Sequence, residues 1–275
     1  MDYVKPPEAA SNMLAAAAVK VNLPVSSLLI RGMLAGAYLA VATSMAITAA
    51  VQTNLPIVGA LIFPFGLVLV VLLGGELLTG SFAVTPCAGV EGRASWGGVI
   101  GNWGWVALGN FLGSALYAYL LSISLTMDGA VEVNVVGKKL VALADAKVNG
   151  YIPHGMAGMI TSFVKGILCN WMVSLGVVVA FTSSSVIGKI FALWGPVTLF
   201  FSQGWEHTVV NMFVIPAGMM MGANISVSDW LIWNTIPVTL GNLVGGMVFT
   251  GLAIYMTHRP AAPSPAAAPA APVRA

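Results

Sequence analysis

Charge is what this chain most lacks. Only 7% of its 275 residues are Asp, Glu, Lys or Arg, against roughly 25% in an ordinary soluble domain. So few charges cannot clothe a soluble surface, which excludes a soluble enzyme, a disordered tail protein and a nucleic-acid binder. The net charge of +2 is too small to call for a polyanionic partner. Cysteine is scarce too. Cys87 and Cys169 lie in or beside apolar runs and read as small buried hydrophobes, with neither a disulfide framework nor a metal site. Three histidines, no metal-ligand cluster, no nucleophile triad and no phosphate loop leave no basis for an enzyme or a cofactor. The N-terminus has no basic n-region. It carries Asp2 and Glu8, and Lys20 directly follows the short apolar run Met13–Val19, so no cleaved signal peptide is expected.

Apolar residues make up 58% of the chain, with a mean hydropathy of +0.92. Long unbroken apolar runs select helices over the alternating strands of a membrane β-barrel. Six segments qualify as spans: Leu28–Ala50, Ile57–Leu78, Val99–Leu125, Met156–Phe181, Ile190–Met221 and Trp230–Met256. The fifth is too long for one straight span and holds Gly204, Glu206, His207 and Pro216, which predicts an interruption. Residues 1–26 read as a cytoplasmic segment with a surface helix near 6–22, residues 27–257 as a pore domain, and residues 258–275 as a disordered Ala/Pro tail. Lys5, Lys20, Arg31, Arg93, Lys189, Arg259 and Arg274 fall on the side of the termini, against Lys138, Lys139 and Lys147 in one opposite loop. The positive-inside rule then places both termini in the cytoplasm.

Self-comparison reveals two related halves. Arg31-Gly32-Met33-Leu34 matches Lys165-Gly166-Ile167-Leu168; Gly75-Glu76-Leu77-Leu78-Thr79 matches Gly204-Trp205-Glu206-His207-Thr208; Asn102 with Gly109-Asn110 matches Asn234 with Gly241-Asn242. In this register His207 pairs with Leu78 and Thr208 with Thr79. Three spans per half is an odd number, so the halves must lie in opposite orientations. The expected fold is all-α, with two inverted three-helix repeats and spans two and five broken.

Ionisable groups at membrane depth are costly and point to function. Glycines flank Glu76 in the sequence Gly74-Gly75-Glu76-Leu77-Leu78-Thr79-Gly80. A carboxylate beside a helix break can accept backbone N–H bonds, so Glu76 and Glu206 are expected to shape the breaks. Thr79 then offers a hydroxyl to the path, and His207, which can exchange a proton near neutral pH, lines it. Asn110 and Asn242 read as interhelical glue, with Asn242 positioned for contact with His207. Met219-Met220-Met221 reads as lipid or subunit contact.

These residues carry a resemblance to the formate/nitrite transporter family, from about Pro24 to Tyr255. It rests on Gly-Glu-Leu-Leu-Thr at 75–79, Lys147-Val148, Lys-Gly-Ile-Leu-Cys-Asn-Trp at 165–171, Gly-Trp-Glu-His at 204–207, Asn211-Met212-Phe213 and Pro-Val-Thr-Leu-Gly-Asn at 237–242. No Asn-Pro-Ala triplet occurs, which argues against aquaporins. The resemblance implies an aquaporin-like protomer, a homopentamer with one pore per subunit, and passage of formate or nitrite with proton coupling or pH gating. It places Thr79 and His207 at the central chamber, matches Asn170 to the family's fourth-span asparagine, and assigns Asn170 and Asn242 to the substrate path with them. Phe63, Leu67, Leu77 and Phe200 become the apolar constriction, and Lys147 becomes the vestibule lysine. Lys165 is either structural or part of the electrostatic path.

An apolar constriction passes a neutral weak acid far more easily than its anion, and basic vestibules concentrate anions. The expected cycle has the anion reach Thr79 and His207, where His207 supplies a proton or a hydrogen bond that raises the acid's pKa. The neutral acid then crosses. A passive anion channel, and a nitrite or hydrosulfide transporter of the same family, are the alternatives. The expected partners are the anion, a proton, the bilayer of the inner (cytoplasmic) membrane and four further copies of the chain.

Overall fold

A computed structural model describes residues 2–259; the sequence expectation for the Ala/Pro tail falls almost wholly outside them. The described chain is helical. Its one β-type contact is an isolated bridge between Tyr3 and Ser183. The order is α1 (Pro6–Val21), α2 (Val25–Thr53), α3 (Pro56–Ile62), α4 (Pro64–Leu72), α5 (Leu78–Val90), α6 (Trp96–Thr126), α7 (Val135–Val148), α8 (Gly155–Ala180), α9 (Val186–Ser202) and α10 (Thr208–Met220). A last helical stretch, α11 (Val227–Thr257), includes π-type turns at Leu231–Thr235 and Met247–Leu252.

Composition is inverted relative to a soluble protein. Asn102, Asn110, Asn170, Asn211, Asn234, Asn242, Glu76, Glu206 and His207 are buried, while Ile30, Leu34, Leu61, Ile100, Leu116, Ile160 and Phe191 are exposed. Water would penalise that outer surface and a bilayer would not. Helices α2, α6 and α11, and the α7–α8 region, have the length and hydropathy to cross a membrane. Shorter apolar helices α3–α4, α5, α9 and α10 pair end to end across two non-helical stretches.

Two boundaries differ from the sequence expectation. The second apolar segment does not end at Leu78. The chain leaves helical geometry after Leu72 and resumes as α5 through Val90. Thr79, Ser81, Thr85 and Pro86 dilute the hydropathy of α5, although every residue from Leu78 to Ala88 is buried. The stretch carrying Lys138, Lys139 and Lys147 is not a loop but helix α7. Its buried positions Gly137, Leu140, Ala144 and Val148 follow helical spacing, and Asn134 caps it by accepting from Gly137 N–H at 3.0 Å. Of the methionine triplet, Met220 is exposed but Met221 packs in the core.

Helix α1 forms at the predicted place. Pro6 starts it, and Ala9, Ala10, Met13, Leu14 and Ala17 lie buried on one face. Part of that face packs on Ala83, Val84, Cys87 and Ala88 of α5.

Glycine sets the closest helix crossings. A methyl group at Gly113 of α6 would collide with the Met33 carbonyl of α2, and one at Gly36 with the Asn110 carbonyl. Across α8 and α11 the same holds for Gly245 against the Ile167 carbonyl and Gly241 against the Phe163 carbonyl. The opposing atoms are backbone, so no rotamer change relieves them. Gly113→Ala and Gly245→Ala are therefore each expected to cost about 1–3 kcal/mol by overpacking. A lowered unfolding midpoint of the detergent-solubilised protein checks this.

Candidate functional site

Two helix breaks build the site. At each, a glycine takes positive φ, Gly74 at 68° and Gly204 at 64°. A left-handed residue of this kind ends a helix without side-chain strain. The chain then runs extended through Leu77 (φ −120°, ψ 127°) and His207 (φ −109°, ψ 119°), the residues preceding α5 and α10.

One asparagine closes each break. Asn110 Oδ1 accepts from Leu78 N–H at 2.9 Å, and its Nδ2 donates to Glu76 O at 2.8 Å and Gly32 O at 2.9 Å. Asn242 Oδ1 accepts from Thr208 N–H at 2.9 Å, and its Nδ2 donates to Glu206 O at 2.9 Å and Gly166 O at 2.8 Å. Each amide thus satisfies backbone groups that the missing helical turn leaves free.

These bonds correct the register of the two halves. Leu78 corresponds to Thr208, so His207 corresponds to Leu77 and not to Leu78. Thr79 then corresponds to Val209. The sequence register fails because Gly75 was matched to Gly204, whereas the glycines with positive φ are Gly74 and Gly204. Asn242 is also reassigned. It holds the backbone on both sides of His207 rather than the imidazole.

Nor do the glutamates hold the breaks through backbone N–H groups. The Glu76 carboxylate accepts from Lys20 Nζ at 2.8 Å. Glu206 accepts from Lys147 Nζ at 2.8 Å, Tyr151 OH at 2.8 Å, Asn211 Nδ2 at 2.7 Å and Asn234 Nδ2 at 3.3 Å. Lys147, 16% exposed, is therefore the counterion of a buried carboxylate, not a free loop lysine. Its half-one equivalent is Lys20, since Asn234 Nδ2 donates to Lys147 O and Asn102 Nδ2 to Lys20 O, both at 3.0 Å. Lys20 and Tyr151 were not legible as site residues. Lys20 sits in an N-terminal segment outside the matched spans, and Tyr151 in the short link between α7 and α8.

Thr79 and His207 meet. Thr79 Oγ1 and His207 Nε2 are 3.1 Å apart, and both residues are buried. His207 Nδ1 accepts from Val210 N–H at 3.1 Å, capping α10. That bond leaves no room for a proton on Nδ1, so Nε2 carries the hydrogen and donates it to Thr79 Oγ1. Asn170 Nδ2 donates to Thr79 O at 3.1 Å and to Asn242 O at 2.7 Å, tying α8 to the first turn of α5 and to α11. Two helix N-termini, each with its free N–H groups and positive dipole end, converge on this pair.

The aromatic collar stands beside it. Phe200 lies nearly parallel to His207, ring centres 5.8 Å apart at 22°. Phe63 meets Phe200 edge-on at 5.7 Å and stacks on Phe201 at 4.1 Å. Leu67 and Leu77 are buried in the same core. A cavity of about 600 Å³ opens on one side of the collar. Its walls include Thr43, Lys139, Lys147, Lys165, Phe200 and His207. Lys165 Nζ lies 3.4 Å from Tyr151 OH and above its ring, with no carboxylate in ion-pair range among the described residues. Cys87 and Cys169 are buried and free, and no cluster of metal-ligating side chains occurs among the described residues.

Removing one member of a buried ion pair strands the other. Lys147→Met is expected to destabilise the protein by about 3–5 kcal/mol, and Lys147→Met with Glu206→Gln by clearly less. Lys20→Met should cost less than Lys147→Met, because solvent reaches a quarter of the Lys20 side chain (24% exposed) and screens the pair. Thermal unfolding of the purified variants in one detergent gives the ranking.

Comparison with known proteins bears on this site. The profile described as formate/nitrite transporter matches residues 7–256. A probable formate transporter of Methanothermobacter thermautotrophicus is 33% identical, over 93% of this chain and 97% of its own length. Among solved structures, an FNT family ion channel superposes with a TM-score of 0.76 at 26% identity, covering 90% of this chain and 98% of that one. A pentameric formate channel with formate bound gives a TM-score of 0.68 at 28% identity, covering 85% and 97%. The family consists of channels and transporters, not enzymes. With nearly every described residue inside the matched region, this helical membrane protein belongs to the formate/nitrite transporter family.

Proposed function

We propose that the chain forms a pore for a small monovalent weak-acid anion, formate first, in which a proton crosses with the substrate past a central Thr79–His207 pair. The observation that carries this reading is the Thr79–His207 contact, set between two helix N-termini and against an aromatic collar. In the proposed arrangement the polypeptide crosses the inner membrane six times as two inverted halves. The breaks at 73–77 and 203–207 lie near the midplane, and both termini are cytoplasmic. The pentameric relative with formate bound supports formate as substrate and five copies as the assembly.

The anion gathers in the cavity, where Lys165 and Lys139 add positive potential. Lys147 contributes less than the sequence implied, because Glu206 neutralises it at 2.8 Å. At the centre, His207 Nε2–H donates to Thr79 Oγ1 and leaves the Thr79 hydroxyl hydrogen to donate to the substrate, and the two dipole ends favour negative charge. These donors favour the anion over the acid. The expectation that a hydrogen bond from His207 raises the acid's pKa therefore has the wrong sign. Desolvation by Phe63, Leu67, Leu77 and Phe200 is what favours the neutral acid. A second proton on the imidazole would break the Val210 cap. His207 thus fixes the Thr79 hydroxyl as the donor that holds the substrate where the collar demands neutrality, and the proton enters with the substrate from water.

Two tests follow. In proteoliposomes with an internal pH dye, formate should acidify the lumen more at external pH about 5.5 than at about 7.5, and His207→Phe should abolish the response while preserving assembly. Anion current without acidification, unchanged in the variant, would make this a passive channel. Nitrite and hydrosulfide in the same assay rank the alternatives. Lys165→Gln should lower formate flux several-fold at low salt and less at high salt, as expected for screened attraction; equal loss at both salt concentrations would assign Lys165 a packing role.

A further inference from the structure

The two halves satisfy their buried glutamates differently. In the C-terminal half, Asn211 Nδ2 uses its two hydrogens to bridge two acceptors, Glu206 Oε2 at 2.7 Å and Asn234 Oδ1 at 2.9 Å. Asn211 corresponds to Ser81 and Glu206 to Glu76 in the register set by the two breaks, and Asn234 corresponds to Asn102 in that set by Asn242 and Asn110. The N-terminal half repeats the frame. Asn102 Nδ2 donates to Lys20 O as Asn234 Nδ2 donates to Lys147 O, and the lysine of each pair sits 2.8 Å from its glutamate. Serine is too short to make the bridge. Ser81 Oγ and Asn102 Oδ1 are both fully buried atoms with no hydrogen-bond partner among the described residues. Glu76 receives one hydrogen bond there, from Lys20.

Leaving such groups unpaired inside a protein forfeits the hydrogen bonds they make in water. The missing piece is what a serine lacks relative to an asparagine: one NH₂-sized group with two donor hydrogens. A water molecule has that size and that donor count. We infer that a fixed water molecule binds between Ser81, Asn102 and Glu76, taking the place that the Asn211 amide nitrogen occupies in the other half. Its two O–H groups donate to Asn102 Oδ1 and the Glu76 carboxylate, and Ser81 Oγ–H donates to its oxygen. Three bonds is the usual complement of a buried water. The Lys20 ammonium disfavours a metal cation at this spot, and the two acceptors disfavour an anion.

An experimental structure of the full chain in lipid nanodiscs, at a resolution that shows waters, tests the site. One peak within hydrogen-bond distance of Ser81 Oγ, Asn102 Oδ1 and a Glu76 oxygen is expected. In Ser81→Asn that peak should vanish, with the new amide nitrogen in its place. Asn211→Ser should gain a matching peak beside Glu206 and Asn234. No peak in the wild type, with Ser81 Oγ bonded to a backbone carbonyl or directly to Asn102, would overturn the inference. Should Ser81→Asn fail to assemble, the wild-type map decides alone.

Discussion

Everything at the centre of this molecule depends on two side-chain amides. A polypeptide that abandons helical geometry inside an apolar medium exposes backbone groups with no water to receive them, and each costs several kcal/mol. Asn110 and Asn242 take up that demand. Each accepts from the N–H that opens a half-helix, and each donates to the carbonyl two residues earlier and to a neighbouring helix. Because these bonds reach the residues flanking Leu77 and His207, they set which way those two side chains point. The site's geometry is therefore an outcome of backbone satisfaction, with the glycine-lined crossings of α2 with α6 and α8 with α11 bringing the amides close enough to act.

Charge follows a similar rule. Glu76 and Glu206 lie where an isolated carboxylate would be prohibitive, and each is held by a lysine from the amphipathic helix of its own half. Those helices, α1 and α7, are thus part of the interior despite their modest hydropathy. The potential of the cavity falls to groups without carboxylate partners, Lys165 above all. A lysine's place in the sequence says little about its field; its nearest counterion says most.

The sequence made much of this legible, for reasons that can be named. Apolar runs mark the long helices because length and hydropathy are local properties. The recurring glutamate and asparagine motifs mark the breaks because the same backbone problem arises twice. Thr79 and His207 stood out from their neighbours, and the structure brings them within 3.1 Å. Other features stayed hidden because they are not local. Helix α7 read as a loop since half its face is charged. The register slipped by one residue because two adjacent glycines, Gly74 and Gly75, precede Glu76, and only backbone φ separates them. The lysine–glutamate pairs join positions 56 and 59 residues apart, and no spacing rule selects them.

The aromatic collar has one more consequence. Phe63 belongs to the N-terminal half, and the rings it meets, Phe200 and Phe201, belong to the other. No single helix owns these ring contacts. Moving one ring breaks stacked or edge-to-face packing that the opposite half must also give up. The ring cluster is therefore a shared seam. Its packing reports how the two halves sit against each other, and a substitution far from the rings that shifts one half relative to the other would act on it as directly as a change to Phe63 itself.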